Sequence, residues 1–321
     1  MHPRPARRHL LTAATAAAAA LATVLPAAES AAGRTGAKAA GRTAETKPAE
    51  DALTDRLRTL EREHGARLGV FGYDTGSGAA IRYRADELFP MCSTFKTLAV
   101  GAVLRSGHDL GQRVRYTRDD VTEAGYAPVA GRPENLATGL TVAELCAAAI
   151  EFSDNAAANL LLRLLGGPSA VTRFCRSLGD RVTRLDRWEP ALNSAEPGRT
   201  TDTSSPHALT RSYARLTLGD ALDPADRELL TGWLLANTTG ANRLRAGLPP
   251  TWTLADKTGT GSYGTANDIG LARPPGRAPI LLAVLTTKAD TPDGTPDGTP
   301  TATPDEPLIA ETAALLAAAL T

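Results

Sequence analysis

Three short stretches carry the side chains that could do chemistry. The first is Ser93-Thr94-Phe95-Lys96, preceded by Pro90-Met91-Cys92. On a helix, residues three apart share a face, so the Lys96 amine can reach the Ser93 hydroxyl and accept its proton if burial or nearby positive charge lowers the lysine pKa. The second is Ser153-Asp154-Asn155, with Asn159 four residues on. Ser153 could relay a proton between that lysine and a leaving nitrogen, and the Asn155 amide could hold a substrate carbonyl. The third is Asp256-Lys257-Thr258-Gly259-Thr260-Gly261, at the end of an apolar run. An ammonium flanked by threonine hydroxyls suits a carboxylate, and the glycines let a substrate backbone lie along a strand edge. Singly each is common: Ser-x-x-Lys is also an ordinary helix start, and Ser-Asp-Asn an ordinary turn. A Ser-His-Asp mechanism has little support, because His2, His9, His64, His108 and His207 lie beside no Gly-x-Ser-x-Gly elbow.

In the order Ser-x-x-Lys, Ser-Asp-Asn, Lys-Thr-Gly, the three stretches resemble the serine β-lactamase and penicillin-binding protein superfamily, from about residue 50 to the C-terminus. Arg187-Trp188-Glu189-Pro190-Ala191-Leu192-Asn193 is similar to the loop of class A β-lactamases in which a Glu and an Asn four residues on hold a water. The resemblance implies Ser93 as nucleophile, Lys96 and Glu189 as candidate acylation bases, Glu189 with Asn193 as the deacylating pair, and Ser153 as the acid for the lactam nitrogen. It implies an oxyanion hole from the Ser93 and Thr260 backbone N–H groups. Substrate would lie on Lys257, Thr258, Gly259 and Thr260, with the two threonines and the lysine on its carboxylate, Asn155 on its side-chain amide and Tyr126 as an aromatic gate. Arg187 and Asp202 would close the loop as a bidentate ion pair, with Glu189–Pro190 cis. Many members carry an arginine a few residues past Lys-Thr-Gly; Thr265-Ala266-Asn267-Asp268 has none, and Arg243 stands where a subset supplies the substitute guanidinium. Disulfides of some members pair positions held here by Cys146 and Val100, or Cys92 and Gly261, so three free thiols are expected, with Cys92 a small buried hydrophobe beside the nucleophile. The activity implied is hydrolysis of penicillins and some cephalosporins, conferring resistance, with no metal or cofactor. The rival readings are a D-alanyl-D-alanine peptidase or transpeptidase, which lacks the deacylating carboxylate, and a membrane-tethered penicillin sensor that stays acylated.

Positioning these groups requires a body of ordinary globular composition. The 321 residues hold 35 Lys plus Arg against 35 Asp plus Glu, with no dense basic run, so there is no electrostatic footprint for nucleic acid. At 42% hydrophobic the chain is too apolar for disorder. Arg4, Arg7 and Arg8 precede an apolar run at 10–25, and small residues follow around Ser30 and Ala32, the layout of a secretory signal at 1–32, with a twin-arginine flavour at Arg7-Arg8. The run is too short for a bilayer of about 30 Å, so a secreted, monomeric protein free of the membrane is expected. A flexible linker is expected at 33–49, then an amphipathic helix carrying Leu53, Leu57 and Leu60 that stops near Gly65. Strands at 68–73 and 80–83 flank a hairpin; the pattern is mainly helical from 89 to 247, with a capping box at Thr141 and Glu144. Strands return at 252–256, 268–271 and 280–287, and a helix at 308–320 closes the chain. The fold class expected is α+β, an α/β sandwich: an antiparallel sheet built by both chain ends (lobe 50–89 and 248–321) with an all-helical lobe (90–247) inserted. A Thr-Pro-Asp-Gly repeat at 291–300 reads as an exposed loop, in which Asp293 and Asp297 are a poor calcium site.

Overall fold

The computed structural model describes residues 37–289 and 299–321, with side chains from residue 50 onward. The expected signal segment, and Asp293 and Asp297, lie outside the described residues. The compact body is Thr46–Thr321. The elements in chain order begin with α1 (Ala37–Glu63), β1 (Arg67–Asp74), β2 (Ala80–Tyr83) and β3 (Phe89–Pro90). A 3₁₀ turn (Cys92–Thr94) then leads into α2 (Phe95–Arg105), β4 (Arg113–Val114), α3 (Arg118–Ala124), α4 (Pro133–Thr138), β5 (Leu140–Thr141), α5 (Val142–Glu151), α6 (Asn155–Leu165) and α7 (Ser169–Ser177). Another 3₁₀ turn (Ala191–Ser194) precedes β6 (Thr203–Ser204), α8 (Pro206–Thr217), α9 (Pro224–Leu235) and α10 (Leu244–Gly247). The chain ends with β7 (Thr253–Thr260), β8 (Ala266–Arg273), β9 (Ile280–Thr287) and α11 (Glu306–Leu320). Helix α1 starts at Ala37, earlier than the apolar period indicated. This start falls within the stretch expected as a flexible linker, 33–49, whose residues from 37 onward are helical.

The main sheet runs β2-β1-β9-β8-β7, every pair antiparallel. Its centre joins the two chain ends, with Val70 of β1 opposite Val284 of β9. Along β9, alternate residues enter different cores, as the two-residue period of a strand requires. Ile280, Leu282 and Val284 meet Leu57, Leu308 and Leu316 of the terminal helices. Leu281, Ala283 and Leu285 join the larger core that continues into the helical lobe. The strand is therefore apolar throughout, like a strand covered on both faces. Glu61 anchors α1 to the sheet by accepting from Tyr83 Oη (2.6 Å), Arg84 Nε (2.8 Å) and the Leu68 N–H (2.9 Å). The capping box expected at α5 is present, Thr141 Oγ1 accepting from Glu144 N and the Glu144 carboxylate from Thr141 N.

Candidate active site

Ser93 sits on the 3₁₀ turn just before α2. Cys92, immediately before it, adopts φ 45°, a left-handed conformation that costs a non-glycine residue about 1 kcal/mol. The turn lies tight against β7 because Gly259 has no side chain: a Cβ there would sit 2.8 Å from the Met91 carbonyl oxygen. Gly259 thus serves the protein's own approach to the nucleophile. Lys96, in the first turn of α2, is completely buried. Its Nζ lies within reach of five oxygens: Asn155 Oδ1 (2.7 Å), the Ser153 carbonyl (2.8 Å), Ser93 Oγ (2.9 Å), Glu189 Oε1 (3.0 Å) and Ser153 Oγ (3.3 Å). Burial pushes the Lys96 pKa below its usual value, opposed by the Glu189 charge.

The second stretch forms the turn from α5 into α6. Ser153, at φ 55°, turns both its carbonyl and its hydroxyl toward Lys96. Asp154 caps α6 by accepting from Ala157 N (2.8 Å), and its other oxygen takes the Val129 and Ala130 N–H groups (2.9 and 2.8 Å). The rim loop that carries Tyr126 is held in this way. Tyr126 itself stands 55% exposed, and its carbonyl accepts from Asn155 N at 2.8 Å. The Asn155 carbonyl oxygen is taken by Lys96 and one amide proton by the Ala124 carbonyl (3.2 Å), which leaves one amide proton for a ligand.

Glu189 arrives from the opposite side. Its side chain is buried, with Oε1 3.3 Å from the Ser93 hydroxyl, which donates to it, and Oε2 accepting from Asn193 Nδ2 at 2.5 Å. Asn159 clamps the Glu189 backbone, Oδ1 accepting its N–H (3.0 Å) and Nδ2 donating to its carbonyl (2.9 Å). Sequence reading noted Asn159 without giving it a role. Its signal was the spacing: on α6 it stands one helical turn beyond Asn155, on the same face. The Glu189–Pro190 bond is cis. One expectation changes. The Arg187–Asp202 pair is not bidentate: Arg187 Nε bonds Asp202 Oδ2 (2.5 Å), while Oδ1 accepts the backbone N–H groups of Asp186 (2.7 Å) and Arg187 (2.9 Å). The backbone N–H groups occupy the oxygen a second guanidinium nitrogen would need, and Arg187 Nη1 turns to Ser194 Oγ (2.8 Å) instead.

The third stretch ends β7. Lys257 is fully buried, and burial together with the nearby Lys96 charge lowers its pKa to about 7. Thr258 and Thr260 stand two apart and share a face. Arg243 reaches that face: Nη2 donates to Thr260 Oγ1 (2.7 Å), Nη1 to the Gly259 and Asn267 carbonyls (2.8 and 2.9 Å), and Nε to Glu306 (3.0 Å). All three cysteines are free and buried. Burial raises the Cys92 thiol well above its usual pKa, so it stays protonated and inert. Among the described residues no group of His, Cys, Asp or Glu is arranged to hold a metal.

A serine hydroxyl within hydrogen-bond reach of a buried lysine and a buried carboxylate is the arrangement of a serine hydrolase working through an acyl-enzyme. Comparison with known proteins agrees and narrows the class. The profile of the β-lactamase enzyme family covers residues 52–320. The β-lactamase of Streptomyces albus G is 58% identical across 100% of both chains, and that of Streptomyces lavendulae 57% identical over 99% of this chain and 98% of its own. The solved structure of the Streptomyces albus G enzyme superposes with a TM-score of 0.80 at 62% identity, covering 84% of this chain and 100% of that one. The β-lactamase of Desulfarculus baarsii follows at 0.79 and 43%, covering 84% and 98%. The chain belongs to the β-lactamase enzyme family and is a class A serine β-lactamase.

Proposed function

We propose that the protein is exported by its first 32 or so residues and, as a monomer, hydrolyses penicillins and some cephalosporins. Ser93 is the nucleophile. Its Oγ attacks the lactam carbonyl while its proton leaves to Lys96 or Glu189, both within hydrogen-bond reach. The carbonyl oxygen gathers negative charge against the Ser93 and Thr260 N–H groups, each such donor being worth about 3–4 kcal/mol in acyl transfer. The C–N bond breaks as Ser153 passes a proton to the nitrogen, recharged through Lys96 at 3.3 Å. Lys257, Thr258 and Thr260 hold the substrate carboxylate, with Arg243 behind Thr260, and Asn155 donates its spare amide proton to the side-chain amide.

One observation carries the hydrolytic reading: Glu189 lies against the nucleophile, and Asn193 is bonded to its other oxygen. A water needs an acceptor for its proton and a second contact to aim it at the ester. Glu189 supplies the first, and Asn193 Oδ1, buried and without a partner among the described residues, supplies the second. The water then adds to the acyl carbon, Glu189 takes its proton, and Ser93 leaves with a proton returned to Oγ. A transpeptidase keeps its ester for an amine and has no use for such a base. Mixing the protein with a chromogenic cephalosporin tests this: many turnovers per molecule are expected, and a stoichiometric burst with a lasting adduct would refute it.

A further inference from the structure

The loop 236–243, between α9 and α10, touches two threonines of β7, Thr258 and Thr260. Arg243 donates to Thr260 Oγ1 at 2.7 Å, and Thr239 Oγ1 lies 2.5 Å from Thr258 Oγ1. A guanidinium can only donate, so Thr260 keeps its own proton for a ligand. Thr239 has one hydroxyl proton and two takers, Asn237 Oδ1 at 2.7 Å and Thr258 Oγ1. The Asn237 amide cannot turn over, because Nδ2 donates to Asp256 Oδ2 (2.5 Å) and Oδ1 accepts the Thr239 backbone N–H (3.1 Å). If Thr239 donates to Asn237, Thr258 must donate to Thr239 and shows an anion only lone pairs. If Thr239 donates to Thr258, the Thr258 proton is free for the anion.

We propose that Thr239 is a positioning residue of the carboxylate subsite, its hydroxyl turning from Asn237 to Thr258 when an anionic group binds and so releasing the Thr258 proton to that group. This rests on the reading of β7 as the carboxylate site. No proton changes its heavy atom; two O–H bonds rotate. The number of hydrogen bonds is conserved, and Asn237 Oδ1 keeps the Thr239 N–H, so no acceptor is orphaned. In the turned state the donors run one way, Thr239 to Thr258 to carboxylate, each polarising the next. The loop is built to hold this geometry. Thr238 ties it to the Glu151 carbonyl through N (2.9 Å) and Oγ1 (2.7 Å), and Gly240 leaves room for the Asp256 carboxylate, which a Cβ there would strike.

Neutron diffraction reads the hydroxyl directly, using perdeuterated Glu189→Ala crystals free and loaded with benzylpenicillin. The expected result is the deuterium of the Thr239 hydroxyl directed at Asn237 Oδ1 in the free crystal and at Thr258 Oγ1 in the adduct. The same orientation in both overturns the inference while leaving the carboxylate site intact. No adduct, or one whose carboxylate lies away from Thr258, overturns the site reading and the inference with it. In kinetics, Thr239→Val should raise KM about fivefold, the scale of one net hydrogen bond, with kcat within about twofold, and Thr239→Ser should restore KM. An equal fall in kcat, or an unmoved KM, counts against the proposal.

Discussion

Glu189 Oε1 accepts from both Lys96 and Ser93, and its other oxygen faces Asn193, so one carboxylate serves the nucleophile and the hydrolytic water. Glu189→Ala should stop at the ester: turnover falls by about 10²–10⁴, the usual worth of a general base, and intact-protein mass shows the substrate retained. Unaltered steady-state turnover would remove Glu189 from the mechanism. Lys257 gives a pH signature. Its pKa near 7 means that the free enzyme holds the cation below that pH and loses it above. Carboxylate binding, read as kcat/KM, should therefore decline above about pH 7, far below a free lysine's range, while a bound carboxylate shifts the limb of kcat upward. A profile flat to pH 9 would show that Lys257 stays charged. At this scale the sequence was most legible, since its serine, lysine and carboxylate groups fall in an ordered set of motifs that resembles one family. Asn159, Asn237 and Thr239 were not, because they act on other residues and only proximity reveals that.

The segment 186–202 is held from both ends through Asp202, whose two oxygens take one guanidinium and two backbone N–H groups. Asp202→Asn keeps the size but loses the charge, and should cost about 1.5–3 kcal/mol, as hydrogen bonds to charged groups do. Because the loop carries Glu189, stopped-flow traces should show a burst followed by slow turnover, deacylation suffering more than acylation; equal slowing of both phases would contradict that. Helix α5 offers a control away from the cleft: Thr141→Ala removes a cap worth about 1 kcal/mol and should lower Tm with kcat kept. Strand positions were readable from alternating and continuous apolar runs, and β9 spans the residues expected, Ile280–Thr287. The monodentate Arg187–Asp202 geometry was not readable, because the competing backbone N–H groups come from a loop conformation that residue names do not encode.

The body closes on itself through β1 and β9, with α1 and α11 packed over their outer face. Leu316, buried among Leu57, Leu308 and Val284, belongs to that layer. Leu316→Ala should cost about 2–5 kcal/mol and lower Tm by several degrees, with kcat at moderate temperature nearly kept, since the layer lies across the sheet from Ser93. A comparable loss of kcat would show that the outer layer also sets the cleft. The sequence by itself determined the class of chemistry, through an ordered set of motifs that resembles one family, and the α+β order of elements with strands at both chain ends, because side-chain type and hydrophobic period are local. Only the tertiary structure decided how much each group retains for a ligand: that Lys96 is crowded by five oxygens, that Asn155 keeps one amide proton, and that Thr258 shares its hydroxyl with Thr239. A hydrogen bond made inside the protein is one withheld from the substrate, and which bonds are made depends on distances that exist only once distant segments meet.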